Sequence, residues 1–207
     1  VKYYPVFLNL KGKKAVIVGG GRIADRKTQT LLKTGARVTI ISPSLTWDLQ
    51  KLEDKKKVVH IKRPYKKGDI RDAFLVVAAT SSVRTNSKVA RDAPSLINVV
   101  DTPSEGNFIA PSIVRRGPLT IAISTEGASP ALSKAVRKEL EKLYGREFAL
   151  YLEFVESVRE KAMKKIPDNK KREKFLKSLA SKKIFNTLRK EGFPAVSKKI
   201  QALLNCY

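Results

Sequence analysis

The sequence predicts an α/β protein built on a doubly wound parallel sheet, and three observations carry that prediction. Apolar runs suited to buried strands alternate with amphipathic helical segments through the first half of the chain. The first run, residues 15–18, leads directly into Gly19-Gly20-Gly21-Arg22-Ile23-Ala24, a G-x-G-x-x-A turn that opens a helix. After Asp101 the alternation stops, and from Gly145 onward the pattern is helical.

Residues 15–18 form the first strand. The helix after it carries Ile23, Ala24, Lys27, Leu31 and Leu32 as an approximate i, i+4, i+8 stripe. Residues 38–41 form the second strand and complete a β-α-β unit. Ser44 suits the cap of a short helix over residues 45–53. Residues 58–61, 74–79 and 96–100 read as three further strands, with a helix over about 83–92 between the last two and a Pro64/Gly68 turn before 74. A polar loop spans 102–107, and Arg116-Gly117-Pro118 makes a turn. Residues 119–124 then alternate like a half-buried strand. Ser129 and Pro130 cap and open a helix that runs to Tyr144. The helical tail breaks near Pro167 and at Gly192-Phe193-Pro194. The expected organisation is a Rossmann-type domain over 1–111, a small α/β connector over 112–144 and a helical domain over 145–207.

The chain has 207 residues and holds 43 Lys and Arg against 19 Asp and Glu, a formal net charge of +24. The excess is shared between the first 132 residues and the rest, so it is not a disordered basic arm. Such a field attracts polyanions. Nucleic acid is an unlikely partner, because residues 145–207 hold no recognition helix or RNA-binding signature. A small substrate rich in carboxylates is the other class. No apolar run approaches the length of a membrane span, and the N-terminus has no signal-peptide core. A cytoplasmic protein with no membrane partner is the expectation. Cys206 is the single cysteine, which excludes an intrachain disulfide and a multi-cysteine metal site. His60, the single histidine, lies within a strand and reads as structural. No metal site is expected.

In the glycine turn, Gly19 allows the tight bend, Gly21 lets a pyrophosphate approach the backbone, and Ala24 keeps the helix close to the sheet. A dinucleotide cofactor is therefore expected. The second strand ends in Ser42-Pro43-Ser44 rather than in an acidic residue. Ser42 can bond a ribose hydroxyl, but these residues leave NAD and NADP open, with Arg37 and Arg63 as the cations that could meet a 2′-phosphate. Ala79 and Thr80 end the fourth strand, where small residues leave room for the cofactor. Asp101 ends the fifth strand on the same edge. It suits a proton acceptor beside the nicotinamide, and equally a cap at the strand–loop junction.

Several segments together resemble the precorrin-2 dehydrogenase family, stand-alone or as the N-terminal module of sirohaem synthases: Tyr4-Pro5-Val6-Phe7 with Leu10; Val18-Gly19-Gly20-Gly21 through Arg26-Lys27; Gly35-Ala36 with Val38-Thr39; Ala78-Ala79-Thr80; Asn98-Val99-Val100-Asp101; Phe108-Ile109-Ala110-Pro111-Ser112; and Pro118-Leu119 through Ser129-Pro130-Ala131-Leu132. The resemblance is collinear over residues 3–144, while the tail matches only as a helical domain. It implies NAD-dependent oxidation of precorrin-2 to sirohydrochlorin. Gly19, Gly21, Arg22 and Ile23 would hold the pyrophosphate, and Ser42, Pro43 and Ser44 the adenosine side. Asp101 would be the acid–base residue, with Asn98 nearby and Ser124, Thr125 and Ser129 next to the tetrapyrrole. Glu126 stands where relatives often have glycine. Arg115, Arg116, Lys134 and Arg137 are candidates for the substrate carboxylates by position. The resemblance also implies a homodimer paired through residues 112–144. It leaves insertion of iron or cobalt open. The alternative reading is an NAD(H)-binding sensor without catalysis.

Overall fold

The computed structural model describes residues 2–207 and divides after Ala110 into two compact units. The first unit holds β1 (Lys14–Val18), α1 (Arg22–Leu32), β2 (Arg37–Ile41), α2 (Trp47–Asp54), β3 (Val58–Ile61), β4 (Leu75–Ala78), α3 (Val83–Asp92) and β5 (Leu96–Val99). The five strands form one parallel sheet in the order β3-β2-β1-β4-β5. The chain therefore reverses its direction of travel across the sheet between β1 and β4. In open α/β sheets that switch point is where a ligand crevice forms.

The strands are continuous apolar runs because both faces of the sheet are covered. Ala15 and Ile17 pack on one side with Ala24 and Leu31 of α1 and Leu49 of α2. Val16 and Val18 pack on the other with Ile70, with Val89 of α3 and with Ile97. The fold class is the one the sequence implies, with four local differences in this unit and the next.

The buried stripe of α1 is Ala24, Thr28 and Leu31. Ile23 is 37% exposed, because Ala24 is pressed on the sheet and sets the phase of the helix. Helix α2 begins at Trp47 with Thr46 as its N-cap, two residues later than the Ser44 cap implies. Residues 42–46 are instead drawn over the glycine turn, where the Thr46 amide donates to the Gly20 carbonyl at 2.9 Å.

In the second unit, β6 (Ser112–Arg116) pairs antiparallel with β7 (Leu119–Ile123). Only β7 was expected. In β6, Val114 alone is buried, and the two arginines hide the alternation. Helix α4 (Pro130–Leu143) follows, with the Ser129 hydroxyl accepting from the Leu132 amide at 3.1 Å. No residue of α4 is buried. Its last turn is held through backbone carbonyls. Arg116 donates to the carbonyls of Tyr144 (2.9 Å) and Glu141 (3.2 Å), and Arg189 donates to Leu143 (3.0 Å).

Helices α5 (Glu147–Lys165), α6 (Asn169–Leu179) and α7 (Lys182–Asn205) close around Phe148, Tyr151, Val158, Phe175, Leu188 and Ile200. Gly192 breaks α7 with φ +79° just before Pro194, as the sequence implies. The break between α6 and α7 carries neither Gly nor Pro. Ser181 caps α7 there, and the Tyr151 hydroxyl donates to the Leu179 carbonyl at 2.5 Å.

The connection from β3 to β4 is pinned by a fork. Arg63 donates to both oxygens of Asp69 at 2.8 and 2.7 Å, and the Lys66 amide adds a bond of 2.8 Å. The Arg63 guanidinium, and after it the Lys66 amide, hold the Asp69 carboxyl below the usual carboxylate range, against the opposing effect of partial burial. A carboxyl whose value falls on folding stabilises the fold at neutral pH and loses that contribution as pH falls through its folded value. Thermal stability should therefore fall on acidification. Asp69→Asn should be less stable at neutral pH and lose less on going to acid. Melting curves of both proteins from neutral to acid pH check this, and parallel curves would refute it.

Candidate dinucleotide-binding site

The strand ladders continue past the strands and tie three loops to one edge. The Gly19 amide donates to the Ile41 carbonyl (2.9 Å), Ala79 to Val18 (2.8 Å), and Val100 to Ala78 (3.1 Å). The three glycines of the turn then meet different surroundings. Gly19 has φ +124°, and a Cβ there would collide with the Ala79 carbonyl. A Cβ on Gly20 would collide with the Ser44 carbonyl and lie 2.7 Å from the Ser42 hydroxyl. Gly21 has φ −86°, a value open to any residue, and a Cβ there would meet nothing within 4 Å.

The fold therefore requires glycine at positions 19 and 20 but not at 21. Gly21 is the N-cap of α1 and accepts that helix's first backbone bond from Asp25 (3.0 Å). The preceding amides of the first turn lack intrahelical acceptors. Open space, unspent amides and the positive end of a helix dipole fit a pyrophosphate. Gly21, Arg22 and Ile23 are exposed beside this space. Burial, with Arg26 adding to it, pushes the Lys27 amine in the same helix below the usual lysine range.

Beyond β2, Ser42 is buried, and its amide donates to the Ile61 carbonyl at 3.2 Å. Pro43 and Ser44 are exposed. Arg63 is committed to Asp69, whereas Arg37 opens β2 at the opposite end of the strand, where its Nε donates to the Gly12 carbonyl at 3.0 Å. The His60 side chain is only 3% exposed and lies between the Ser42 carbonyl and Glu53.

Beyond β4, Ala79 and Thr80 are half-buried. Thr80 is gripped by a residue that the sequence did not single out, the buried Asn86 of α3. The Asn86 Oδ1 accepts from the Thr80 amide (3.1 Å) and hydroxyl (2.7 Å), and its Nδ2 donates to the Thr80 carbonyl (3.1 Å). The available signal was an asparagine on the buried stripe of an otherwise polar helix, together with Val89.

Beyond β5, Asp101 is exposed on a bend and has no hydrogen-bond partner among the described residues. Asn98 is buried within β5, and its amide donates to the Phe108 carbonyl at 3.2 Å. Asn107 bonds the Ile97 amide (2.8 Å) and the Ser95 carbonyl (2.7 Å), so residues 107–108 run bonded alongside β5.

In the second unit, the hydroxyls of residues 124–129 shape their own loop. Ser124 Oγ accepts from the Glu126 amide (3.0 Å), and Thr125 Oγ1 accepts from the Ser129 amide (3.1 Å). Glu126 has φ +53°, the left-handed conformation in which glycine alone is unstrained. Arg116 caps α4, and Arg137 pairs with Glu141 at 2.7 Å. Of the four basic candidates, Arg115 and Lys134 therefore remain exposed without a carboxylate partner. Among the described residues no cluster of His, Cys, Asp and Glu could hold a metal ion, and no helix is long and apolar enough to cross a membrane.

Comparison with known proteins gives a consistent picture. Residues 6–112 match a family model described as "Putative NAD(P)-binding", and residues 116–143 match one described as "Sirohaem biosynthesis protein central". A siroheme synthase of Mannheimia succiniciproducens is 33% identical over 207 residues, covering 99% of this chain and 44% of that protein. One of Methylobacillus flagellatus is 38% identical over 164 residues, covering 76% of this chain and 35% of that protein. The chain thus spans less than half the length of these relatives. A solved structure, "SirC, precorrin-2 dehydrogenase", superposes with a TM-score of 0.83 at 25% identity, covering 99% of this chain and 100% of that one.

The glycines make a paired prediction. Gly21→Asp should melt close to wild type, since its side chain enters open space, yet lose dinucleotide binding by placing a charge where the pyrophosphate passes. Gly20→Ala should instead cost about 1–3 kcal/mol of stability by overpacking. Calorimetric melting and cofactor titration separate the two. Tight binding by Gly21→Asp would refute the assignment.

Proposed function

We propose a function on one premise, that the chain belongs to the NAD(P)-binding family whose model covers residues 6–112: it is an NAD-dependent dehydrogenase that converts precorrin-2 to sirohydrochlorin in sirohaem biosynthesis. The observation that carries the reading is the empty space at Gly21, beside free helix amides on the carboxyl edge of the sheet. The likeness of the whole chain to a precorrin-2 dehydrogenase structure supports the substrate.

In this reading Gly19, Gly21, Arg22 and Ile23 hold the pyrophosphate, and Ser42, Pro43 and Ser44 line the adenosine side. Ala79 and Thr80, fixed by Asn86, border the nicotinamide side. NAD is favoured over NADP because Arg63 is paired with Asp69 and Arg37 opens β2, at the end of the strand opposite the glycine turn. When bound, the dinucleotide supplies a hydride acceptor. Dehydrogenation releases one hydride and one proton, and Asp101, exposed and without a partner among the described residues, accepts the proton. Asn98, whose amide fixes Phe108, and Ser124, Thr125 and Ser129 are the substrate-side residues.

The same proposal assigns the Rossmann-type domain to 1–111, a homodimer-forming segment to 112–144 and a helical domain to 145–207. Exposed Ile113 (38%), Leu132 (54%) and Leu143 (43%) support self-association through the middle segment. A cytoplasmic setting belongs to the same reading.

Anaerobic incubation with precorrin-2 and NAD⁺ tests the reading, with reduced-nicotinamide absorbance and the sirohydrochlorin spectrum expected to rise together. Added Fe²⁺ or Co²⁺ then tests metal insertion. Cofactor binding without turnover, with NADP⁺ also tried, would leave the sensor reading in its place. Asp101→Ala should keep dinucleotide affinity while turnover falls by about a hundredfold or more. Full turnover in that variant would remove Asp101 from the mechanism.

A further inference from the structure

We propose that His60 is a positioning residue for the dinucleotide site, and that the proton it shares with Glu53 governs how firmly the glycine turn is held. The inference rests on the function proposed above and extends it to a residue outside the crevice. The His60 Nε2 lies 2.9 Å from the Ser42 carbonyl oxygen, and Nδ1 lies 3.2 and 3.3 Å from the two Glu53 oxygens. A carbonyl only accepts, so Nε2 carries a hydrogen. The Glu53 carboxyl group also accepts from the Gln50 amide at 2.9 Å, and with Nε2 already donating, a hydrogen bond at Nδ1 needs a proton on that nitrogen or on the carboxyl group. Ring and carboxylate together therefore hold one proton more than a neutral imidazole beside a carboxylate. Removing it leaves one ring hydrogen for two acceptors, so the ring can donate to Ser42 or to Glu53 but no longer to both.

The outer contact matters because of what Ser42 touches. Ser42 and Ser44 close on Gly20 so tightly that no Cβ fits, and the Thr46 amide donates to the Gly20 carbonyl at 2.9 Å. Residues 42–46 thus grip the turn immediately before Gly21, and His60 holds Ser42 from the far side. The ring's other surroundings are simple. Strand β2 has no titratable side chain between Val38 and Ile41, and Lys57 and Lys62 flank β3 itself. On α2, Asp48 and Lys51 make no hydrogen bond to the ring, and Asp54 accepts the second Gln50 bond at 3.2 Å. The contacts that decide its state are Glu53 and Ser42.

His60 is the only histidine, so its ring signals in an NMR spectrum of the full chain need no assignment by mutation. The experiment follows those signals, the Gly20 and Gly21 amides, and NAD⁺ affinity by calorimetry across pH. All three should share one midpoint, with NAD⁺ binding weaker by about fivefold on the alkaline side, the worth of one hydrogen bond. His60→Gln keeps a donor for Ser42 but does not titrate. It should retain the acid-side affinity within about twofold and lose the pH step. Glycine amides that stay fixed while His60 titrates, or an unchanged step in His60→Gln, overturn the proposal. If NAD⁺ fails to bind at every pH, the function above falls, while the amide signals still decide the role of His60.

Discussion

The lack of room around Gly20 organises the carboxyl edge of the sheet. Because the Ser44 carbonyl and the Ser42 side chain close on Gly20, the loop after β2 and the loop after β1 are locked into one body. That contact draws residues 42–46 inward and delays the start of α2, and it leaves Gly21 as the first backbone free to face outward. Gly19 and Gly20 build the turn, and Gly21 keeps it clear. Folding and ligand approach are thus separated by a single residue, which is why one local motif can satisfy both.

A second theme is how loops are held on a sheet whose own side chains are almost all apolar. Asn86, Asn98, Asn107 and His60 each reach from a regular element, or from a loop beside one, to the backbone of a neighbouring segment. Each satisfies polar groups that would otherwise be costly to bury. Thr80 is fixed at its amide, hydroxyl and carbonyl, whereas Asp101 carries no such restraint among the described residues.

The parts of the fold legible in the sequence were those governed by local pattern. Strands buried on both faces are uninterrupted apolar runs, so β1 to β5 fall within a residue or so of their expected bounds, and α3 matches at both ends. The glycine fingerprint was legible because its spacing is itself the chemistry. What escaped depended on distant partners. Strand β6 is hidden by Arg115 and Arg116, one of which is there to cap α4. The α6–α7 break relies on a serine cap with no Gly or Pro to announce it. The roles of Asn86 and His60 are set by tertiary contacts, with Ser42 lying 18 residues from His60.

Helix α4 buries none of its own residues, yet its final carbonyls are clasped by Arg116 from the hairpin and Arg189 from α7. Backbone oxygens are the same whatever side chains the helix carries. The attachment of α4 to its unit is therefore largely indifferent to the sequence along its exposed length. Those positions are free to drift toward whatever surface they come to meet, without loosening the body that presents them. An interface on such a mount can diverge faster than the fold beneath it.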